Sequence, residues 1–416
     1  MIKDLNIDKD IFKLVEECEE ELLEEFRKYD KLCFENSMKV LKAFMDNRIS
    51  TMDFNGTNGY GYDDLGREKI ERVFSSVLGA EDSLVRSQLV SGTHAISTAL
   101  FACLRPNDLM VTITGTPYDT LHEVIGIRKN SSSLIEHGIK YEQIDLKDDD
   151  FDYESIEKVL KENDVKLIHI QRSKGYADRI SISISMIEKV VKFIRNINKE
   201  VIIFVDNCYC EFVSAKTPLE VGADLIAGSL IKNLGGGIAP MGGYVAGRKD
   251  LIHLAGERLT VPGEGKEIGA SLNINRYFLQ GLYNASKVVD ASLKTSVLTS
   301  MVLEKLGYEV SPKYDEERSD IVVAIKFNDE NKMMKYCKGI QMASPIDSYT
   351  EPVPEVTPGY DDEVVMAAGT FVQGSTIELS CDGPLRKPYI AYQQGALSYE
   401  YGKLAVMKAV SLLQKK

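Results

Sequence analysis

The chain has 416 residues, 44% of them apolar and 27% charged, with a net charge of −13 at pH 7. That length exceeds one ordinary core and predicts two domains, with the balance of a soluble globular protein. The acidic excess argues against nucleic acid or an anionic membrane as partner, so an anionic ligand must be gripped locally. Seven cysteines are scattered without zinc-site or disulfide spacing. Cys208 and Cys210 are one residue apart, too close for the usual ligand pairs. No metal is therefore expected, and unpatterned thiols suit a reducing compartment. The opening residues soon become acidic and read as no signal peptide, and no apolar run approaches the roughly 20 residues of a membrane span. The expected location is the cytoplasm.

In chain order, residues 8 to about 47 show apolar residues at intervals of three and four (Ile11, Val15, Cys18, Leu22, Phe26, Tyr29) and predict a helix with a glutamate-rich solvated face. Residues 48–66 break into Gly, Asn, Tyr and Asp and read as a long loop. From about 67 to 250, short apolar runs at Met110–Thr114, Lys166–Ile170, Val201–Val205 and Asp224–Ala227 alternate with helical stretches such as Ile184–Asn196. This alternation predicts an α/β fold with a mostly parallel sheet, whose ligands gather at the carboxyl ends of the strands. After a helical stretch at 267–305, strands are expected at Asp320–Phe327 and Thr376–Ser380, and a final helix at Tyr389–Leu413. Pro345, Pro352, Pro354 and Pro358 mark an irregular loop. The expected division is a helical segment 1–50 packed with the small domain, a large domain 51–290, and a small α+β domain 291–416.

Four signals carry chemistry. Asp206 ends the run Val201–Val205, where a buried carboxylate requires a cation or donor. Twenty-six residues later, Ser229-Leu230-Ile231-Lys232 leads into Gly235-Gly236-Gly237. A strand-end Asp with Ser-x-x-Lys-x-x-Gly suits a cofactor whose pyridine nitrogen is held protonated while its aldehyde condenses with the lysine. Ser91-Gly92-Thr93 opens a helical pattern and offers free N–H groups to a phosphate. Tyr118 follows the next strand and could stack on a ring. Each signal also has an ordinary reading alone: a salt bridge, a surface lysine, a helix cap, a packed tyrosine. His94 and His122 read as packing or capping residues, Arg258 and Lys266 as loop residues that could reach a neighbouring subunit, and Met333-Met334 as core.

Taken together, Val205-Asp206-Asn207-Cys208-Tyr209-Cys210, Pro218-Leu219-Glu220, Gly222-Ala223-Asp224-Leu225 and Ser229 with Lys232 resemble the cystathionine and methionine lyases of the fold-type-I pyridoxal-phosphate class. Gly115–Gly126, Gln171–Tyr176 and Pro262–Leu272 look like the bacterial aluminium-resistance-type proteins, described as methionine gamma-lyase-like or cystathionine beta-lyase-like. The resemblance implies the aspartate-aminotransferase fold and pyridoxal 5'-phosphate bound covalently to Lys232. It implies Asp206 as the pyridinium partner, Gly92, Thr93 and Ser229 as phosphate binders, and Tyr118 as a stacking residue that assists the leaving group. Tyr62 matches a tyrosine that reaches a neighbouring subunit's phosphate, which implies a homodimer or homotetramer with shared sites. The implied reaction is β- or γ-elimination from a sulfur-containing amino acid. Transamination, aldol cleavage or a cofactor-binding stress role use the same lysine and aspartate. Two positions depart from the lyases: Asp64 and Glu378 stand where those enzymes carry arginines. Arg386 or Arg172 is then expected to bind the substrate carboxylate.

Overall fold

A computed structural model describes residues 5–61 and 63–415. At its centre lies a seven-stranded sheet. Its strands are β1 (Asp82–Arg86), β2 (Leu109–Thr112), β3 (Lys140–Gln143), β4 (Val165–Gln171), β5 (Ile202–Asp206), β6 (Leu225–Ser229) and β7 (Gly243–Gly247). Across the sheet they run β1-β7-β6-β5-β4-β2-β3. The strands from β6 to β3 are parallel, and β7 is antiparallel to both of its neighbours. The four expected strands fall on β2, β4, β5 and β6 because helices cover both faces, so Leu167, Ile168, Ile203, Phe204 and Ile226 are all buried and alternation is lost.

Two helices, α1 (Lys9–Glu21) and α2 (Leu23–Asp46), replace the single one expected. The chain bends at Leu22, whose N–H is shared between the Cys18 and Glu19 carbonyls. Helices α3 (Leu65–Leu78), α4 (Gly92–Cys103), α5 (Tyr153–Glu162), α6 (Ile184–Ile197) and α7 (Lys249–Leu259) serve the large sheet. Helix α8 (Asn275–Lys305) is continuous over 31 residues, so the boundary expected near 290 falls inside it.

A second sheet of six antiparallel strands follows: β8 (Glu309–Ser311), β9 (Val322–Lys326), β10 (Pro354–Glu355), β11 (Val364–Ala367), β12 (Ser380–Pro384) and β13 (Ile390–Gln394). Their order is β8-β9-β13-β12-β11-β10. Helix α9 (Glu330–Met342) packs on this sheet and on α10 (Tyr399–Leu413). Two expectations shift here. The strand placed at 376–380 begins at Ser380. The helix placed at 389–413 is instead β13 followed by α10. Between them Gly395 turns at φ +84°, and the Ser398 side chain accepts from Tyr401 N to start the helix. No helix among the described residues is long and apolar enough to cross a membrane.

Candidate active site

Strands β5 and β6 are parallel neighbours, with Asp206 level with Ala227, so both deliver their carboxyl ends to one edge. Asp206 ends β5, and Ser229 ends β6. Three residues on, Lys232 extends Nζ to 3.0 Å from the Ser375 carbonyl oxygen and 3.6 Å from the centre of the Tyr209 ring. The turn after it is tight: a Cβ on Gly235 would lie 1.5 Å from the Leu230 carbonyl oxygen. A cavity of about 240 Å³ opens here, lined by Gly92, Thr93, Tyr118, Asp206, Ser229 and Lys232 among others.

One end of the cavity is built for an anion. The Ser91 hydroxyl accepts from His94 N at 3.1 Å and starts α4. A Cβ on Gly92 would lie 3.2 Å from Ser229 Cβ and 3.3 Å from Cys208 Sγ. Glycine there keeps the helix N-terminus, with its free N–H groups and positive dipole end, open to the cavity beside Ser229. Thr93 Oγ1 shares a hydrogen bond of 2.7 Å with Thr120 Oγ1. His94 braces the preceding turn, accepting from Val90 N through Nδ1 at 3.2 Å.

At the other end Asp206 is buried, and burial pushes its carboxyl up, opposed by the Cys208 N–H and by the Lys232 and Arg179 charges. Burial pulls the Lys232 amine down, against the pull of Cys208, Asp382, Asp206 and Glu211. An amine with its neutral form brought within reach, a carboxylate needing a cationic partner and an anion cradle, all lining one cavity, fit pyridoxal phosphate.

Tyr118 forms the wall. Its N–H donates to Gln171 Oε1 at 2.6 Å, and its hydroxyl meets that of Tyr360 at 2.8 Å. Burial raises this phenol well above its ordinary value, and the charges of Tyr360, Tyr209 and Asp382 add to the rise. The sequence assigns no role to Tyr209, Tyr360, Ser375 or Asp382. Tyr209 sits within the motif around Asp206, whereas the other three lie in or beyond a proline-rich stretch with no periodicity to mark them.

The arginines separate. Arg172 is fully buried and donates to Asn207 Oδ1 (2.8 Å), the Cys210 carbonyl (3.2 Å) and the Ile182 carbonyl (3.3 Å). It braces the segment after β5 through Nε and Nη1 and does not line the cavity. Arg386 is half-buried, pairing with Asp362 Oδ2 at 2.9 Å and donating to the Tyr176 carbonyl at 2.9 Å. The two departures from the lyases have structural partners. Asp64 caps α3 through Arg67 N at 2.9 Å and accepts from the Thr57 and Ser271 hydroxyls. Glu378 accepts from Phe371 N (2.9 Å) and Val372 N (2.8 Å). Lys266 pairs with Asp82 at 2.7 Å, and Arg258 lies over the Phe101 ring. Tyr62 lies outside the described residues. Asp119, His122 and Asp361 group at the rim, but His122 Nε2 donates to the Pro117 carbonyl at 2.9 Å and Arg128 holds Asp361.

Comparison with known proteins bears on the family and the fold. The chain is 48% identical to the uncharacterized protein YnbB of Bacillus subtilis (strain 168) over 94% of its own length and 93% of that protein's. A Clostridium acetobutylicum structure, named as a candidate cystathionine beta-lyase involved in aluminum resistance, superposes with a TM-score of 0.96 at 47% identity, covering 100% of this chain and 98% of that one. The structure of a carbon-sulfur lyase involved in aluminum resistance from Clostridium novyi NT gives 0.94 at 49% identity, covering 99% and 97%. The fold is that of the aspartate aminotransferases, as the sequence implied. The methionine gamma-lyase family matches residues 11–414, and the chain belongs to that family of pyridoxal-phosphate-dependent carbon–sulfur lyases.

Proposed function

We propose that this carbon–sulfur lyase carries its cofactor covalently on Lys232 Nζ and eliminates a thiol from a sulfur-containing amino acid such as cystathionine or methionine. The observation that supports this reading is the meeting of Lys232, Asp206 and the Gly92–Ser229 cradle around one cavity. Pyridoxal phosphate, when bound, supplies a conjugated sink for the electron pair left at the substrate Cα. Gly92, Thr93 and Ser229 bind its phosphate. Asp206 holds a proton at its ring nitrogen and so keeps the ring cationic.

Lys232 Nζ, when free of the cofactor, would take the substrate Cα proton, and burial favours the neutral amine needed for that step. Loss of a β-thiol requires no further base. Loss of a γ-thiol requires a second proton to leave Cβ, which the same amine can accept. Tyr118 Oη, kept protonated by burial, donates to the departing sulfur. Neither arginine lines the cavity; Arg386, partly exposed, is the carboxylate-binding candidate retained, and Arg172, fully buried, is not. The reading further includes a cytoplasmic homo-oligomer in which Tyr62 serves a neighbouring subunit's phosphate.

Incubation of the holoenzyme with cystathionine, methionine and S-alkyl cysteines tests the reaction class. The expected products are ammonia, a keto acid and a thiol. A new amino acid would mean transamination, and glycine with an aldehyde would mean aldol cleavage. No product with any substrate would favour a binding role.

A further inference from the structure

We propose that Tyr360 is the proton supply of Tyr118: as Tyr118 Oη gives its proton to the departing sulfur, the Tyr360 hydroxyl passes its own to the Tyr118 oxygen. The proposal rests on the carbon–sulfur lyase reading and on Tyr118 as the group that protonates sulfur.

The geometry is direct. The two hydroxyls are 2.8 Å apart, and the rings meet edge to face at 5.8 Å between centroids. Tyr360 comes from the segment between β10 and β11, more than two hundred residues from Tyr118, and both side chains line the cavity. That segment is pinned on each side of Tyr360. Arg128 donates to the Gly359 carbonyl at 3.1 Å and pairs with Asp361, and His122 Nδ1 lies 3.4 Å from Asp361 Oδ2. Tyr176 packs against both phenols, with centroids 5.4 Å from Tyr118 and 5.7 Å from Tyr360. Its own hydroxyl donates to Asp382 Oδ2 at 3.1 Å. The Tyr209 and Asp382 charges oppose an anion on Tyr118, and those of Asp382 and Asp119 oppose one on Tyr360; Lys232 lines the same cavity.

A phenol in such surroundings cannot lose its proton to a thiolate unless the charge it acquires is shared. Tyr360 shares it, because its O–H can turn to the Tyr118 oxygen as charge develops there. The step balances. The carbon–sulfur bond breaks and its electron pair leaves on sulfur. Sulfur takes the Tyr118 proton, Tyr118 takes the Tyr360 proton, and Tyr360, which stays partly exposed, recovers one from water. Tyr360 acts through Tyr118 and never touches the reacting atoms.

The test uses the holoenzyme as Tyr118→Phe, Tyr360→Phe and the double variant, with a series of S-alkyl and S-aryl cysteines whose thiols span a range of acidity. For an alkyl thiol, Tyr118→Phe is expected to lower kcat by about 100-fold and Tyr360→Phe by about tenfold, within the usual worth of a positioned acid. KM and the cofactor absorption band should stay close to wild type. Both losses should shrink towards about twofold or less for a nitrothiophenol, which leaves without help. The double variant should be no worse than Tyr118→Phe, since two groups acting as one unit are not additive. Losses that ignore the leaving group, or that multiply in the double variant, overturn the proposal. A wild type that releases no thiol from any substrate fails differently: it removes the lyase reading and this proposal with it.

Discussion

Lys232 holds its Nζ 3.6 Å from the centre of the Tyr209 ring, and Tyr209 takes the left-handed backbone conformation at φ +66° to place the ring there. Such a backbone costs a residue with a side chain on the order of 1–2 kcal/mol, so the ring's position is imposed by its surroundings. The aromatic face favours the ammonium form of Lys232, whereas burial favours the neutral amine. Burial wins, since the net direction is down. Apoenzyme mixed with pyridoxal phosphate should therefore take up cofactor at a rate that levels off below the pH at which an ordinary lysine becomes neutral. Tyr209→Leu removes the ammonium's support and should move that plateau to lower pH. A plateau that stays in place would show the ring to be packing alone. Lys232→Ala should bind cofactor without the band that borohydride fixes, and peptide mapping of reduced wild type should find the adduct on residue 232.

Asp206 gives the second prediction. Asp206→Ala keeps Lys232 and the phosphate cradle, so borohydride should still fix cofactor on the protein. Turnover should fall by about 100-fold or more, the usual cost of losing an electrostatic partner of developing charge. Asp206→Glu should recover part of it. Activity near wild type in Asp206→Ala would reduce the carboxylate to a structural group held by Cys208 N at 3.0 Å.

These two residues were legible in the sequence for a physical reason. In a parallel sheet covered on both faces, a strand is an unbroken apolar run, and the first polar residue after it marks the carboxyl end where ligands bind. Asp206 and Ser229 are such residues, and Lys232 follows Ser229 by one turn. Tyr360, Ser375 and Asp382 obey no such rule. Tyr360 and Ser375 reach the cavity from loops of the second sheet, Asp382 backs it by accepting from the Ser375 hydroxyl, and only tertiary packing brings Tyr360 to Tyr118. Misplacing the strand at 376–380 has the same origin: β12 reads Ser380-Cys381-Asp382-Gly383-Pro384, with little of the apolar alternation that announces a strand.

Glu211 gives a prediction about stability. It is buried beneath the site and accepts from the Tyr244 hydroxyl at 2.7 Å through Oε1, while Oε2 has no partner among the described residues. Burial raises its pKa from 4.5 to about 7. Between those values the folded protein holds a proton that the unfolded chain releases. Stability therefore falls as pH rises through this window, and the penalty is fully present above it. Glu211→Gln retains an acceptor for Tyr244 and removes the charge. It should raise the thermal midpoint at pH 8 more than at pH 5, with a difference on the order of 2–3 kcal/mol at about 1.4 kcal/mol per pKa unit. An equal effect at both pH values would mean that the carboxyl titrates near its ordinary value.

The two arginines make opposite predictions, and their geometry decides which is which. Arg386 has a half-buried guanidinium shared between Asp362 and the Tyr176 carbonyl. A substrate carboxylate could compete with Asp362 for it at modest cost, since an exposed ion pair contributes about 0–1 kcal/mol. Arg386→Lys keeps the charge and loses the fork, so KM should rise by about tenfold or more for the loss of a bidentate pair. The fold should be unaffected. Arg172 has no such freedom. Its guanidinium satisfies Asn207 Oδ1 and the carbonyls of Cys210 and Ile182 in a fully buried setting. Arg172→Met strips these acceptors of their donor, and each buried orphan costs about 1–3 kcal/mol. A marked fall in thermal midpoint should follow, with KM close to wild type in whatever fraction stays folded. If Arg172→Met instead raised KM at unchanged stability, the guanidinium would have to swing into the cavity on substrate binding, and the bracing role read from its hydrogen bonds would be wrong.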